Sequence, residues 1–261
     1  MRNKSPLIIV IFLLAFLVFF QGCVTDKDTL KIERSLTQNE FAYYNDSFDK
    51  LRDDLWERAG YVYSEVQRAN FKLAYVCIEN GKVRVETKTG CFSKGGLASK
   101  YALRGDFDIQ MDCHIDFLKG RYDMDQYLAF KVIGKVREIQ ETESITIGLI
   151  RKGDHNFSAI FSGYAEKRKY HPGSWHKIGN FHGTLRIRRI GTRISTLYKK
   201  EGKTGWKKMN TFRFSANDII FGFGLSNYES KRNTIKARSP ITATFDNFRI
   251  NDAQEIIESE I

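Results

Sequence analysis

Proline is nearly absent, with three in 261 residues. Together with only 20 glycines, that excludes proline-rich and collagen-like chains. No internal repeat and no low-complexity segment interrupts the sequence. The longest apolar run, Leu7 to Phe20, holds 14 residues, short of the roughly 20 that cross a bilayer as a helix. Acidic charge is in deficit: 31 Asp and Glu stand against 42 Lys and Arg, a net of +11. Beyond position 23 three cysteines remain, Cys77, Cys91 and Cys113. An odd number cannot all pair, so one disulfide with one thiol and three buried thiols both stay open. His171, His176 and His182 lie five and six residues apart, which matches no tight zinc spacing; they read as loop histidines. What is present is a chain 42% hydrophobic and 28% charged, able to bury a core and not disordered.

Arg2 and Lys4 precede the apolar run, and Phe20-Gln21-Gly22-Cys23 follows it. This is the order of a secretory signal. The tetrapeptide resembles the lipobox of bacterial lipoproteins, in which a small residue precedes a cysteine that becomes the lipid-modified N-terminus. The resemblance implies a signal peptide over 1–22, lipidation of Cys23, and attachment of the mature chain to the cell envelope. Several acyl chains on one residue hold stably where a single chain holds marginally. Val24, where a retention signal would carry Asp, favours the outer membrane in a Gram-negative cell. Residues 23–40 form a polar tether. An uncleaved anchor with an incidental cysteine is the alternative.

From there the texture is β. Lys72 to Ile78, Asn80-Gly81 and Val83 to Lys88 predict a hairpin, and its register sets Cys77 opposite residue 84. Leu97 to Leu103 reads as one strand. Asp106 to Phe117 alternates without a break: Phe107, Ile109, Met111, Cys113, Ile115 and Phe117 on one face, Asp106, Asp108, Gln110, Asp112, His114 and Asp116 on the other. That is an antiparallel strand with one face in a core and one in water. Further strands are expected over 126–136, 144–151, 157–163, 184–190, 193–199, 219–225 and 241–250. Ile219 to Leu225 is apolar on both faces, hence central, and Gly222 and Gly224 leave space on one of them. Asp246-Asn247 breaks the last alternation and predicts a bulge. About ten short strands mean an antiparallel sandwich or barrel. Residues 49–58 suit a short helix or wide loop, and the tail over 251–261 a short helix.

Charge is segregated. Residues 167–208 hold 13 Lys and Arg and one acid, Glu201, with Trp175, Phe181, Tyr198 and Trp206 interleaved. An exported chain turns this pattern away from nucleic acid and toward an anionic glycan or a phospholipid surface. A charged, solvated sheet face is the plain alternative. Alternation places Arg186 and Arg188 on one side of their strand and Leu185, Ile187 and Arg189 on the other.

Ser47-Phe48 with Trp56, the run Gly105 to Ile109, Leu185 to Gly191 with Gly202 and Trp206, and Phe245 to Ile250 resemble, in that order, segments of the concanavalin A-like lectin/glucanase superfamily. The likeness covers residues 41–250. It implies an all-β, two-sheet antiparallel jelly-roll sandwich whose concave face takes glycans. Fold alone does not set function. Laminarinase-type glycosidases of that superfamily carry alternating carboxylates on one strand, and hydrolysis needs two of them about 5 to 9.5 Å apart. The corresponding strand here offers Ser144, Thr146 and Gly148, with Glu141 and Glu143 only at its entrance. The reading is therefore a non-catalytic carbohydrate-binding domain, with Trp175, Trp206, Tyr198, Arg186 and Arg188 as ligand-binding candidates. An envelope scaffold that docks a protein partner is one alternative. A divergent glycoside hydrolase using Asp108 and Asp112 is another. No cofactor is expected. The superfamily's structural calcium implies Asp46 and Asp246 as candidate ligands.

Overall fold

The computed structural model describes residues 37–59, 71–118, 125–134, 143–153, 157–166, 169–228 and 239–258. The readings made for the signal peptide, Cys23 and Glu141 lie outside them. A short helix, α1 (Gln38–Ala42), is followed by fifteen strands: β1 (Trp56–Ala59), β2 (Phe71–Leu73), β3 (Tyr75–Glu79), β4 (Lys82–Glu86), β5 (Phe92–Ser99), β6 (Tyr101–Ile115), β7 (Asp125–Gly134), β8 (Ser144–Lys152), β9 (Phe157–Glu166), β10 (Lys169–Lys177), β11 (Phe181–Ile190), β12 (Arg193–Lys200), β13 (Lys207–Arg213), β14 (Asp218–Tyr228) and β15 (Thr242–Glu258).

Two layers follow from the pairing. Sheet A runs β10-β9-β8-β7-β14-β5, with β1 antiparallel and β2 parallel along the far side of β5. Sheet B runs β13-β12-β11-β6-β15-β4-β3. The first residues of β14, Asp218 and Ile219, pair with Arg104 and Leu103 of β6. One hydrogen-bonded ladder therefore joins both layers.

Alternation explains the core. On β6 the apolar row from Phe107 to Ile115 is buried, while Gln110, Asp112 and His114 face outward. Leu128, Phe130 and Val132 of β7, Ile145, Ile147 and Leu149 of β8, and Phe221 and Phe223 of β14 bury the inner face of sheet A against it. A hydroxyl pair, Ser162 and Thr196, spans the layers at 2.7 Å. At one end Trp56 meets Phe48, Phe221, Phe223 and Phe248 at centroid distances of 5.2 to 5.9 Å. The two edge strands β10 and β13 close the open side, where the Ser174 backbone N–H donates to Asn210 Oδ1 at 2.6 Å.

Local rules hold where pairing is local. Asn80 and Gly81 take φ of 53° and 68°, the left-handed pair a two-residue hairpin needs, and Cys77 pairs with Arg84. Cys77, Cys91 and Cys113 are all free thiols. Arg189 is buried, its guanidinium donating to the carbonyls of Gly191, Ala216 and Asn217. The bulge falls at Asp246–Arg249, with Asn247 at φ 48°.

Several expectations are corrected. Leu97 to Leu103 is not one strand: β5 ends at Ser99, and the chain turns at Lys100 into β6 of the other sheet. The tail is not helical. β15 continues to Glu258 against Tyr101, with three register shifts that spoil a strict two-residue period in the sequence. Residues 49–58 form a turn and then the start of β1. His171 and His176 sit on β10 and His182 on β11, not in loops. The edge strands β10 and β13 escape sequence reading because charged, two-sided strands show no alternation.

Candidate functional site

The face of sheet A turned away from the core carries a groove of about 210 Å³. The register lays its side chains in rows across the strands. One row is Ala98, Gly222, Lys131, Thr146 and Gly163. The next is Gly96, Gly224, Ala129, Gly148, Phe161 and Trp175. The third is Lys94, Ser226, Tyr127, Ile150 and Ala159. The middle row is a floor of the smallest residues, crossing four strands over about 14 Å at the usual strand spacing. Glycine is required in it: a Cβ at Gly96 would lie 1.9 Å from the Phe223 carbonyl oxygen, and one at Gly148 2.3 Å from that of Leu128. The floor ends against an aromatic wall. The Phe161 and Trp175 rings lie 5.4 Å apart, with Tyr127 5.2 Å from Phe161. Trp175 keeps 38% of its surface exposed.

The basic groups lining this groove are two lysines, Lys94 and Lys131, and no acidic side chain lines it. Burial, and then the charge of Lys94, push the Lys131 ammonium down to about 8. Burial also lowers Lys94. No carboxylate among the described residues hydrogen-bonds to Lys131 or forms an ion pair with it. The desolvated Lys131 ammonium over an uncharged floor favours an anion.

The outward row of β8 is Ser144, Thr146, Gly148 and Ile150, without an acid. Glu143, just before the strand, is buried and accepts from Tyr164 Oη at 2.9 Å and from the backbone N–H groups of Ser215 and Ala216 at 2.7 and 3.2 Å. Burial alone would raise its pKa, but these donors hold it below the ordinary glutamate value. It ties the ends of strands together.

The other residues named from the sequence lie on the outer face of sheet B, except Trp175, Tyr198 and Asp46. Asp108 is not in a cleft: it is buried beneath Arg186, which donates Nε to Oδ1 at 2.7 Å and Nη2 to Oδ2, with Arg188 Nε at 3.8 Å and Asn251 donating at 3.2 Å. Asp112 accepts from Thr184 Oγ1 at 2.6 Å and from Asn247 Nδ2 at 3.1 Å. Asp108 thus offsets the charge of Arg186 and Arg188. Arg186 and Lys199 also lie 5.0 Å from the Trp206 ring centroid, so Trp206 packs beneath cations on the face opposite the groove. Tyr198 is 4% exposed and belongs to the core; it has no face to offer a ligand. Of the aromatic candidates only Trp175 lies on the outward face of sheet A, in the row that continues the groove floor past Phe161. Asp46 spends both oxygens on N–H donors, Phe48 N at 2.7 Å and Trp56 Nε1 at 2.8 Å. Asp246 accepts from the Asn247 N–H at 2.7 Å and has Lys82 at 3.8 Å. N–H donors and an ammonium are not the oxygen cage calcium takes.

No protein-family model matches the sequence, and no curated protein matches it. Solved structures do. A glycoside hydrolase family protein from Mycobacterium thermorestibile matches with a TM-score of 0.56 at 12% identity, over 79% of this chain and 98% of that one. A LamA variant from Z. galactanivorans, solved with laminaritriose and laminaritetraose, matches with 0.54 at 10% identity, over 79% and 96%. The immunostimulatory antigen and pseudo beta-1,3-glucanase of Mycobacterium tuberculosis matches with 0.51 at 10% identity, over 83% and 98%. The fold is a concanavalin A-like jelly roll. In this jelly roll β8 lies between β7 and β9, and its outward row, which carries no acid, is on the groove face.

Proposed function

We propose that this jelly roll binds an acidic glycan in the groove of sheet A and does not cleave it. The observation that carries the reading is the charge of the groove: Lys131 lines it without a carboxylate partner among the described residues, and the neighbouring outward row of β8 holds none of the acids that hydrolysis would need. The sugar chain lies across the strands on the Gly96–Gly148 floor, one ring stacks on Trp175, and its acid groups meet the ammoniums. The oligosaccharides bound to the Z. galactanivorans protein support a saccharide ligand, and the mycobacterial pseudo beta-1,3-glucanase supports a non-catalytic jelly roll.

The test is a glycan panel containing uronate-bearing, sulfated and neutral oligosaccharides, read at two salt concentrations. Saturable binding of acidic members, weakened by salt and about tenfold by Trp175→Ala, is the expected result. Equal binding of neutral and acidic members overturns the charge assignment. No binding by any member moves the weight to a protein-docking scaffold, and release of reducing ends overturns the non-catalytic reading.

We further propose that the domain is displayed from a membrane through lipidated Cys23. Cys23→Ala is expected to shift the protein from the membrane fraction to the soluble fraction. Palmitate label entering that variant would overturn the assignment.

A further inference from the structure

We infer that His114, Asp116 and His182 form a binding site for a zinc-like divalent cation on the outer face of sheet B. His114 and His182 are direct partners across the β6–β11 ladder, and Asp116 follows two residues beyond His114, just past the end of β6. The imidazoles stack with centroids 3.5 Å apart. Both rings aim Nε2 at one carboxylate: His114 Nε2 lies 3.2 Å from Asp116 Oδ2 and His182 Nε2 lies 3.3 Å from Oδ1. All three ligand atoms fall within 4.8 Å of one another. With zinc–ligand bonds of about 2.0–2.1 Å, the edge of a tetrahedron is about 3.3–3.4 Å, so the carboxylate–imidazole separations are already those of a metal's ligand shell.

The surroundings fit as well. Glu201 Oε2 is 3.8 Å from His182 Nδ1, an ion-pair distance that adds negative potential beside the imidazole. Asp112 and Asp246 line the adjoining pocket and add negative potential. Paired strands fix two of the three ligands before any metal arrives. Two imidazoles and one carboxylate select a borderline transition metal over calcium or magnesium. The fourth position opens to solvent, where water or an oxygen of a ligand completes the shell. The site lies on the opposite sheet from the groove and does not depend on glycan binding.

The experiment is titration of the full-length chain with zinc chloride by calorimetry, and with cobalt(II) by visible absorption. One equivalent is expected, with a cobalt d–d band, weakened about ten- to a hundredfold in His182→Ala and in Asp116→Asn. His171→Ala with His176→Ala should leave it unchanged. The three ligands are surface groups, so circular dichroism of the variants should match the parent. His114→Gln provides a second, shape-conserving variant. Absence of saturable uptake by the parent chain overturns the site, and so does uptake of equal strength in His182→Ala, Asp116→Asn and His114→Gln.

Discussion

Replacing Lys131 with methionine is expected to raise the melting temperature and, in the same protein, to abolish capture of acidic glycans. The two effects share one cause. The ammonium is held out of water next to Lys94, and its pKa falls from 10.5 to about 8. Below pH 8 the group is protonated both folded and unfolded, and folding bears the full desolvation cost. Between about pH 8 and 10.5 the folded state gives up its proton first. The unfolded state then binds more protons, so stability rises with pH across that window. Each pKa unit corresponds to about 1.4 kcal/mol, so relief on the order of 3 kcal/mol is expected from Lys131→Met at pH 7, or roughly 6–12 °C in a domain this size. The gain should shrink toward pH 10. Calorimetric melts of parent and variant at pH 7 and pH 10 check this; a variant less stable than the parent at pH 7 would mean that the lysine has a stabilising partner and that the groove is not cationic. Ligand binding adds a second signature. An acid group placed against Lys131 raises its pKa again, so binding near pH 8.5 should draw protons from the buffer. Titrations in buffers of different ionisation enthalpy count them.

Trp56→Ala should act in the opposite direction and more strongly. Trp56 is 1% exposed, ringed by Phe48, Phe221, Phe223 and Phe248, and its indole N–H donates to Asp46. Removing a buried tryptophan costs about 3–5 kcal/mol, equivalent to about 10–15 °C in Tm at this size. Trp56→Phe separates two contributions. It keeps most of the packing but leaves one oxygen of a buried carboxylate without its donor, a loss of about 1–3 kcal/mol. A phenylalanine variant as stable as the parent would show that the Asp46 bond carries nothing. Trp56 also starts β1, whose last residue, Ala59, lines the groove, so loss of this cluster should weaken ligand binding before global unfolding.

The alternation of Asp106 to Phe117 was legible because it depends only on the two-residue period of a strand. The hairpin at Asn80-Gly81 was legible because it depends on four neighbouring residues. The pairing of Asp108 with Arg186 was not. It joins residues 78 apart, and until β6 and β11 are set side by side each row reads as a free charge. Lys94 and Lys131 are the same problem in reverse. Each is a lysine on a half-buried strand, and only β14 between β5 and β7 brings them to one groove. The one local signal was the small face of β14, Gly222 and Gly224, which marked where space would open. The histidine cluster escaped for a related reason: spacing rules test ligands along the chain, and His114 meets His182 across the ladder.

The basic segment acquires a different meaning once β10 and β13 are recognised as the outer margins of the two sheets. A margin exposes unpaired backbone donors and acceptors, an invitation to any other extended chain. Lys169 and Lys177 sit on β10, which is also interrupted by Pro172 and a register shift. Lys207, Lys208 and Arg213 sit exposed on β13. Copies crowded together at high local density would meet margin to margin with like charge facing like charge. Four lysines of the basic segment, Lys169, Lys177, Lys207 and Lys208, therefore stand in the fold where like charge opposes the zipping of neighbouring molecules into a shared sheet.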